Sequence, residues 1–67
     1  MNANLLKSIM TLRGVTQQNL ADALHLSDAS VRNKLTGRTE WTRTEIALCR
    51  DFLALTDSDM VDIFFAL

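Results

Sequence analysis

The sequence predicts a compact all-α domain of five short helices, with a helix-turn-helix at about residues 16–37. Three observations carry that reading. Apolar residues make up 48% of the 67 positions and none is Pro, so helical periodicity runs without a built-in breaker. The only two glycines, Gly14 and Gly37, stand where periodic apolar segments end. A hydroxyl residue suited to capping (Thr16, Ser27, Thr42 or Thr56) stands ahead of each later segment.

The first helix is expected from about Asn4 to Arg13. Leu5, Leu6, Ile9 and Met10 follow i, i+3, i+4 spacing, with Leu12 or Arg13 closing the last turn before Gly14. Thr16 caps a second helix, Gln17 to Leu24, that buries Leu20, Ala21 and Leu24. Only His25 and Leu26 separate it from Ser27, which caps a third helix, Asp28 to Thr36. Val31 and Leu35 turn that helix inward, and Gly37 stops it. The loop Gly37 to Trp41 is polar except for Trp41, which is expected to plug the base of the core.

Thr42-Arg43-Thr44-Glu45 is a capping box that opens a fourth helix reaching about Ala54. Thr56 caps a fifth, whose first turn carries Asp57 and Asp59 at the positive end of the helix dipole. Met60, Ile63 and Phe64 supply its apolar face. The fourth helix has more apolar surface than one core stripe needs: Ile46, Cys49 and Leu53 form one row, Leu48 and Phe52 a second. Either the second row, with Phe65, faces another subunit, or the fifth helix folds back over it. The tail Ile63-Phe64-Phe65-Ala66-Leu67 shares these alternatives.

Composition narrows the function. A lone Cys49 excludes an intramolecular disulfide and fits a reducing compartment. No apolar run approaches the roughly 20 residues of a membrane span. Asn4, Lys7, Ser8 and Thr11 interrupt the N-terminal segment, unlike a secretory signal. A cytoplasmic protein is therefore expected. With one His, one Cys, no Tyr and no Gly-rich phosphate loop, catalysis is not expected. His25 lies in the corner between helices, where it packs or hydrogen-bonds locally. Cys49 lies among apolar residues and is expected to be buried. No His, Cys and carboxylate set has metal-ligand spacing, and no metal, cofactor or small-molecule ligand is expected.

The net charge of -1 hides an asymmetry. Residues 1–50 hold all seven basic groups and four acids, whereas residues 51–67 hold four Asp and no base. Over a Debye length of about 8 Å, local charge outweighs the total. Arg32, Lys34, Arg38 and Arg43 cluster in and just after the third helix, opposed only by Glu40. Such a cluster suits a phosphate-facing surface.

The exposed face of the third helix is expected to be Asp28, Ala29, Arg32 and Asn33, small and polar enough for a DNA major groove. Asn33 can accept from adenine N6 and donate to N7, a pairing worth about 1–3 kcal/mol of discrimination; otherwise it is a solvated helix residue. Asp28 either accepts from cytosine N4 or stabilises the positive end of its own helix. Ala29 either touches a thymine methyl or simply favours helix. Arg32 points to a base or a flanking phosphate, while Lys34, Arg38 and Arg43 read as phosphate contacts. Gln17 adds a donor to the free N–H groups of the second helix, or stays wet.

The segment Thr16-Gln17...Leu20-Ala21...Leu24...Leu26-Ser27...Val31...Leu35...Gly37 resembles the helix-turn-helix of the phage repressor and Cro family, the XRE-type transcriptional regulators. Glu40-Trp41-Thr42...Glu45-Ile46...Leu53-Ala54-Leu55-Thr56 and Ile63-Phe64-Phe65 resemble the closing helices of small prophage-encoded members. The resemblance covers about Leu5 to Phe65 and implies a lambda-repressor-like fold in one domain. It implies that Gln17 contacts a phosphate and that Ser27 and Ser30 lie near the DNA backbone. Asp28, Ala29 and Asn33 would face base edges, with Arg38 and its loop gripping phosphates. Asp28 departs from the family, where neutral or basic side chains are more usual.

The implied function is a Cro-like repressor of transcription. It would bind double-stranded DNA as a homodimer on a palindromic operator, with half-sites about 34 Å apart. The alternative is a protein-binding module, such as an antitoxin or a partner-binding phage regulator, because fold does not fix function.

Overall fold

Each helix begins on a side chain that accepts a hydrogen bond from its own first turn. In the computed structural model, which describes residues 1–65, these caps are Asn2, Thr16, Ser27, Thr42 and Thr56. They open α1 (Ala3–Leu12), α2 (Gln17–Leu24), α3 (Asp28–Leu35), α4 (Arg43–Leu53) and α5 (Asp57–Phe64). At α2, α4 and α5 the third helical residue (Asn19, Glu45 or Asp59) reaches back to the cap's own N–H, completing a capping box. The fold is all-α, as expected. Ala66 and Leu67, named above with the tail, lie outside the described residues.

The first four helices also end alike. Gly14, His25, Gly37 and Ala54 have φ of 69°, 57°, 82° and 52°, the left-handed conformation. The next residue in each case returns its N–H to a carbonyl five residues back: Val15 to Met10, Leu26 to Ala21, Arg38 to Asn33 and Leu55 to Arg50. Val15, Leu26 and Leu55 then turn back onto the core. Two of these four corners lack glycine, so the sequence signal for them is faint.

Leu6, Leu20, Val31, Cys49, Leu53 and Ile63 are fully buried, one or two from every helix. Burying side chains of this size contributes about 1.5–3 kcal/mol each before chain entropy is set against it. Helix α2 packs on both α3 and α4, and α1 packs on α5. The Asn2 N–H donates to the Ile63 carbonyl at 2.7 Å and fastens that second seam.

Trp41 lies half-buried against the core, its ring edge-on to Phe64 at 5.6 Å, and its indole N–H meets Met1 Sδ at 3.0 Å. Leu12 is 83% exposed and does not close the buried stripe of α1. The left-handed turn at Gly14 hands that place to Val15. Among the described residues no helix is long and apolar enough to cross a membrane.

The second apolar row of α4 divides. Leu48 is half-buried and packs on the core. Phe52 stays 45% exposed, and Val61 on α5 and Phe65 just after it are 55% and 62% exposed.

Candidate nucleic-acid interface

Helix α3 is held from one side only. Val31, Lys34 and Leu35, at i, i+3 and i+4, form its buried face. The opposite face presents Ala29 and Arg32 to solvent, flanked by half-buried Asp28, Ser30 and Asn33. The three-residue corner His25-Leu26-Ser27 sets α3 against α2. Leu26 anchors the corner in the core, while His25 is exposed and serves as the left-handed residue.

The polar groups of this face are tied together. Gln17, the first residue of α2, donates from Nε2 to Asp28 Oδ1 at 3.0 Å. The other carboxylate oxygen, Oδ2, pairs with Arg32 Nη2 at 3.1 Å, one turn along α3. Ser27 Oγ accepts from the Ser30 N–H and donates to Ser30 Oγ at 2.9 Å, so both hydroxyls are engaged in the cap. The Asn33 carboxamide makes no hydrogen bond among the described residues, leaving its donor and acceptor edges free.

Lys34 corrects the expectation from charge. It is 8% exposed, and its ammonium donates to the Glu40 carbonyl at 2.9 Å and pairs with Glu45 Oε1 at 2.8 Å. It faces the protein and is no phosphate contact. The reason is helical phase: Lys34 shares a face with Val31 and Leu35, and its stem runs inward to meet Glu45. Glu45 Oε1 also accepts from the Thr42 N–H at 2.9 Å. Burial pushes the Glu45 carboxyl up, but its hydrogen bonds from Lys34 and Thr42 and the nearby cation outweigh this and hold it below its ordinary value.

That clamp fixes the loop after α3. Gly37 N–H returns to the Lys34 carbonyl, and the Arg38 and Thr39 N–H groups share the Asn33 carbonyl at 2.8 and 3.3 Å. Lys34 holds Glu40, and Glu45 holds Thr42, so the loop is fastened along its length. Arg38 within it and Arg43 at the first turn of α4 are exposed, with no carboxylate partner among the described residues. They remain the two free cations beside α3.

A family model described as a protein of unknown function (DUF739) matches residues 3–66. The chain belongs to the DUF739 family. No curated protein and no solved structure matches this DUF739 chain. Its geometry therefore carries the functional reading.

The sequence-derived set is thus brought together in part. Ala29, Arg32, Arg38 and Arg43 are presented outward, Asn33 is half-buried beside them, Gln17 and Asp28 are linked to one another, and Lys34 is withdrawn. Charge alone did not show the Lys34–Glu45 pair; the shared face of positions 31, 34 and 35 was its available signal. Cys49 lies outside this surface, and burial, reinforced by the nearby Glu45 charge, pushes its thiol up to about 12.

Proposed function

We propose that this DUF739 domain is a sequence-specific double-stranded DNA-binding regulator of transcription, acting in the cytoplasm as a homodimer. The observation that supports it best is the one-sided burial of α3, with Ala29 and Arg32 outward, half-buried Asn33 beside them and unpaired Arg38 and Arg43 following. In this reading α3 enters the major groove, Asn33 and Arg32 read base edges, and Arg38 and Arg43 neutralise phosphates. The phage repressor and Cro resemblance supports the same assignment. Half-exposed Phe52, with Val61 and Phe65, supplies apolar surface for a second copy.

The same apolar surface favours a second reading, in which the chain docks on a protein partner and α3 reads nothing. Selection from a random double-stranded pool at low salt separates the two. Enrichment of a two-fold symmetric motif supports the dimeric regulator. Retention without a motif, vanishing as salt rises, leaves generic charge attraction and puts the partner-binding reading ahead.

A further inference from the structure

We infer that Asp28 is a positioning residue for Arg32 and that the bound DNA carries a guanine at one fixed place in each half-site. The inference rests on the DNA-binding reading above and names the base that α3 selects. Its observation is the relay Gln17–Asp28–Arg32. Gln17 Nε2 reaches Asp28 Oδ1 at 3.0 Å, and Asp28 Oδ2 reaches Arg32 Nη2 at 3.1 Å.

A free arginine on a helix surface samples many rotamers, and fixing it on a base costs that freedom. Here the carboxylate is itself hydrogen-bonded by α2, so the ion pair biases the guanidinium toward one rotamer before any DNA arrives. One of its five N–H donors serves Asp28, leaving Nε–H, both Nη1 hydrogens and the second Nη2 hydrogen. Two of these on adjacent nitrogens suffice for guanine O6 and N7, the two acceptors that arginine takes bidentately in the major groove.

The Arg32 side chain is 63% exposed and Asp28 38%, so the pair lies on the open face. Ala29 beside it has no bulk to keep bases away. Adenine does not fit the fork, since it presents a donor at N6 where guanine presents O6. The unshared lone pairs of Asp28 disfavour phosphate and further acceptors nearby, which sharpens the choice. An acidic residue in a DNA-facing helix thereby acquires a role that a net-charge argument counts only as a cost.

The experiment is pool selection followed by competition between the selected duplex and duplexes changed at single base pairs, with intact chains shown folded by thermal melting. The wild-type motif is expected to hold a G·C pair at one fixed place per half-site. Asp28→Ala is expected to lower discrimination at that pair about tenfold while raising affinity for random duplex, because a negative charge leaves the groove face. Mere loss of structure lowers both. Asp28→Glu, which keeps a carboxylate one turn from Arg32, should restore part of the discrimination. Arg32→Lys, which keeps the charge and loses the fork, should lose it. A symmetric motif lacking the G·C pair, or discrimination there unmoved by Asp28→Ala, overturns the inference and leaves the DNA-binding reading standing. Absence of any motif overturns both.

Discussion

The Lys34 ammonium and the Glu45 carboxylate meet at 2.8 Å with side chains only 10% and 13% exposed, joining the helix that faces outward to the helix behind it. Breaking such a pair from one side leaves a charge with too little water. Lys34→Met should therefore cost about 3 kcal/mol in urea unfolding, a large part of a small domain's stability. Adding Glu45→Gln should return some of it. In DNA binding, Lys34→Met should leave the salt slope unchanged. A slope reduced by one phosphate's worth would place the ammonium on DNA after all.

Acid should weaken the fold through the same carboxylate. Glu45 is held below its ordinary 4.5, so its contribution is fully present above that value and is lost as pH falls through the lower folded one. Urea midpoints measured between pH 7 and pH 3 should decline most steeply below pH 4.5. Glu45→Gln should flatten this limb while lowering stability at neutral pH. Parallel curves for the two proteins would assign the acid sensitivity elsewhere.

Ala54 closes α4 at φ 52° with no glycine to ease it. A left-handed non-glycine residue costs about 1–2 kcal/mol, set against the extra chain entropy that glycine loses. Ala54→Gly should accordingly stabilise by about 0.5–1 kcal/mol, raising Tm by several degrees in a domain of this size. Ala54→Val should do the reverse, since a β-branched residue resists that conformation more strongly. Calorimetry showing a lower Tm for the glycine variant would contradict this account of the corner.

Arg38 and Asn33 should fail differently. Arg38→Ala should weaken every duplex alike and reduce the slope of log K against log salt by about 0.9 for each lost phosphate contact. Asn33→Ala should relax preference at one base position and leave the slope alone. Fluorescence anisotropy on selected and random duplexes over a salt series measures both. Equal losses on the two duplexes for Asn33→Ala would remove it from base reading.

What could be read in advance follows the range of the interactions. Caps are local, so Thr16, Ser27, Thr42 and Thr56 marked helix starts within one residue of where they lie. Asn2 was missed as the cap of α1, which placed that helix one residue late at each end. The ending corners were half legible: Gly14 and Gly37 announced themselves, whereas His25 and Ala54 adopt the same geometry with ordinary side chains. At the candidate interface, the outward positions of Ala29 and Arg32 came from helical phase. Gln17 and Asp28 are eleven residues apart, and their bond exists only once α2 and α3 are set against each other. The charge of Lys34 suggests a phosphate contact, but its helical phase turns it inward with Val31 and Leu35.

The backbone bond from Asn2 to Ile63 joins parts of the chain separated by nearly its whole length. The other two main seams (α2 on α3, α2 on α4) span far less of the chain, so less of it must be looped to form them. The pairing of α1 with α5 is thus expected to form last and to reopen first. Amide exchange would show it as a shared, lower protection of these two helices, below that of α2 and α4. The domain then has an ordered inner trio that carries the candidate interface, and an outer pair whose opening can be tuned without redrawing that surface.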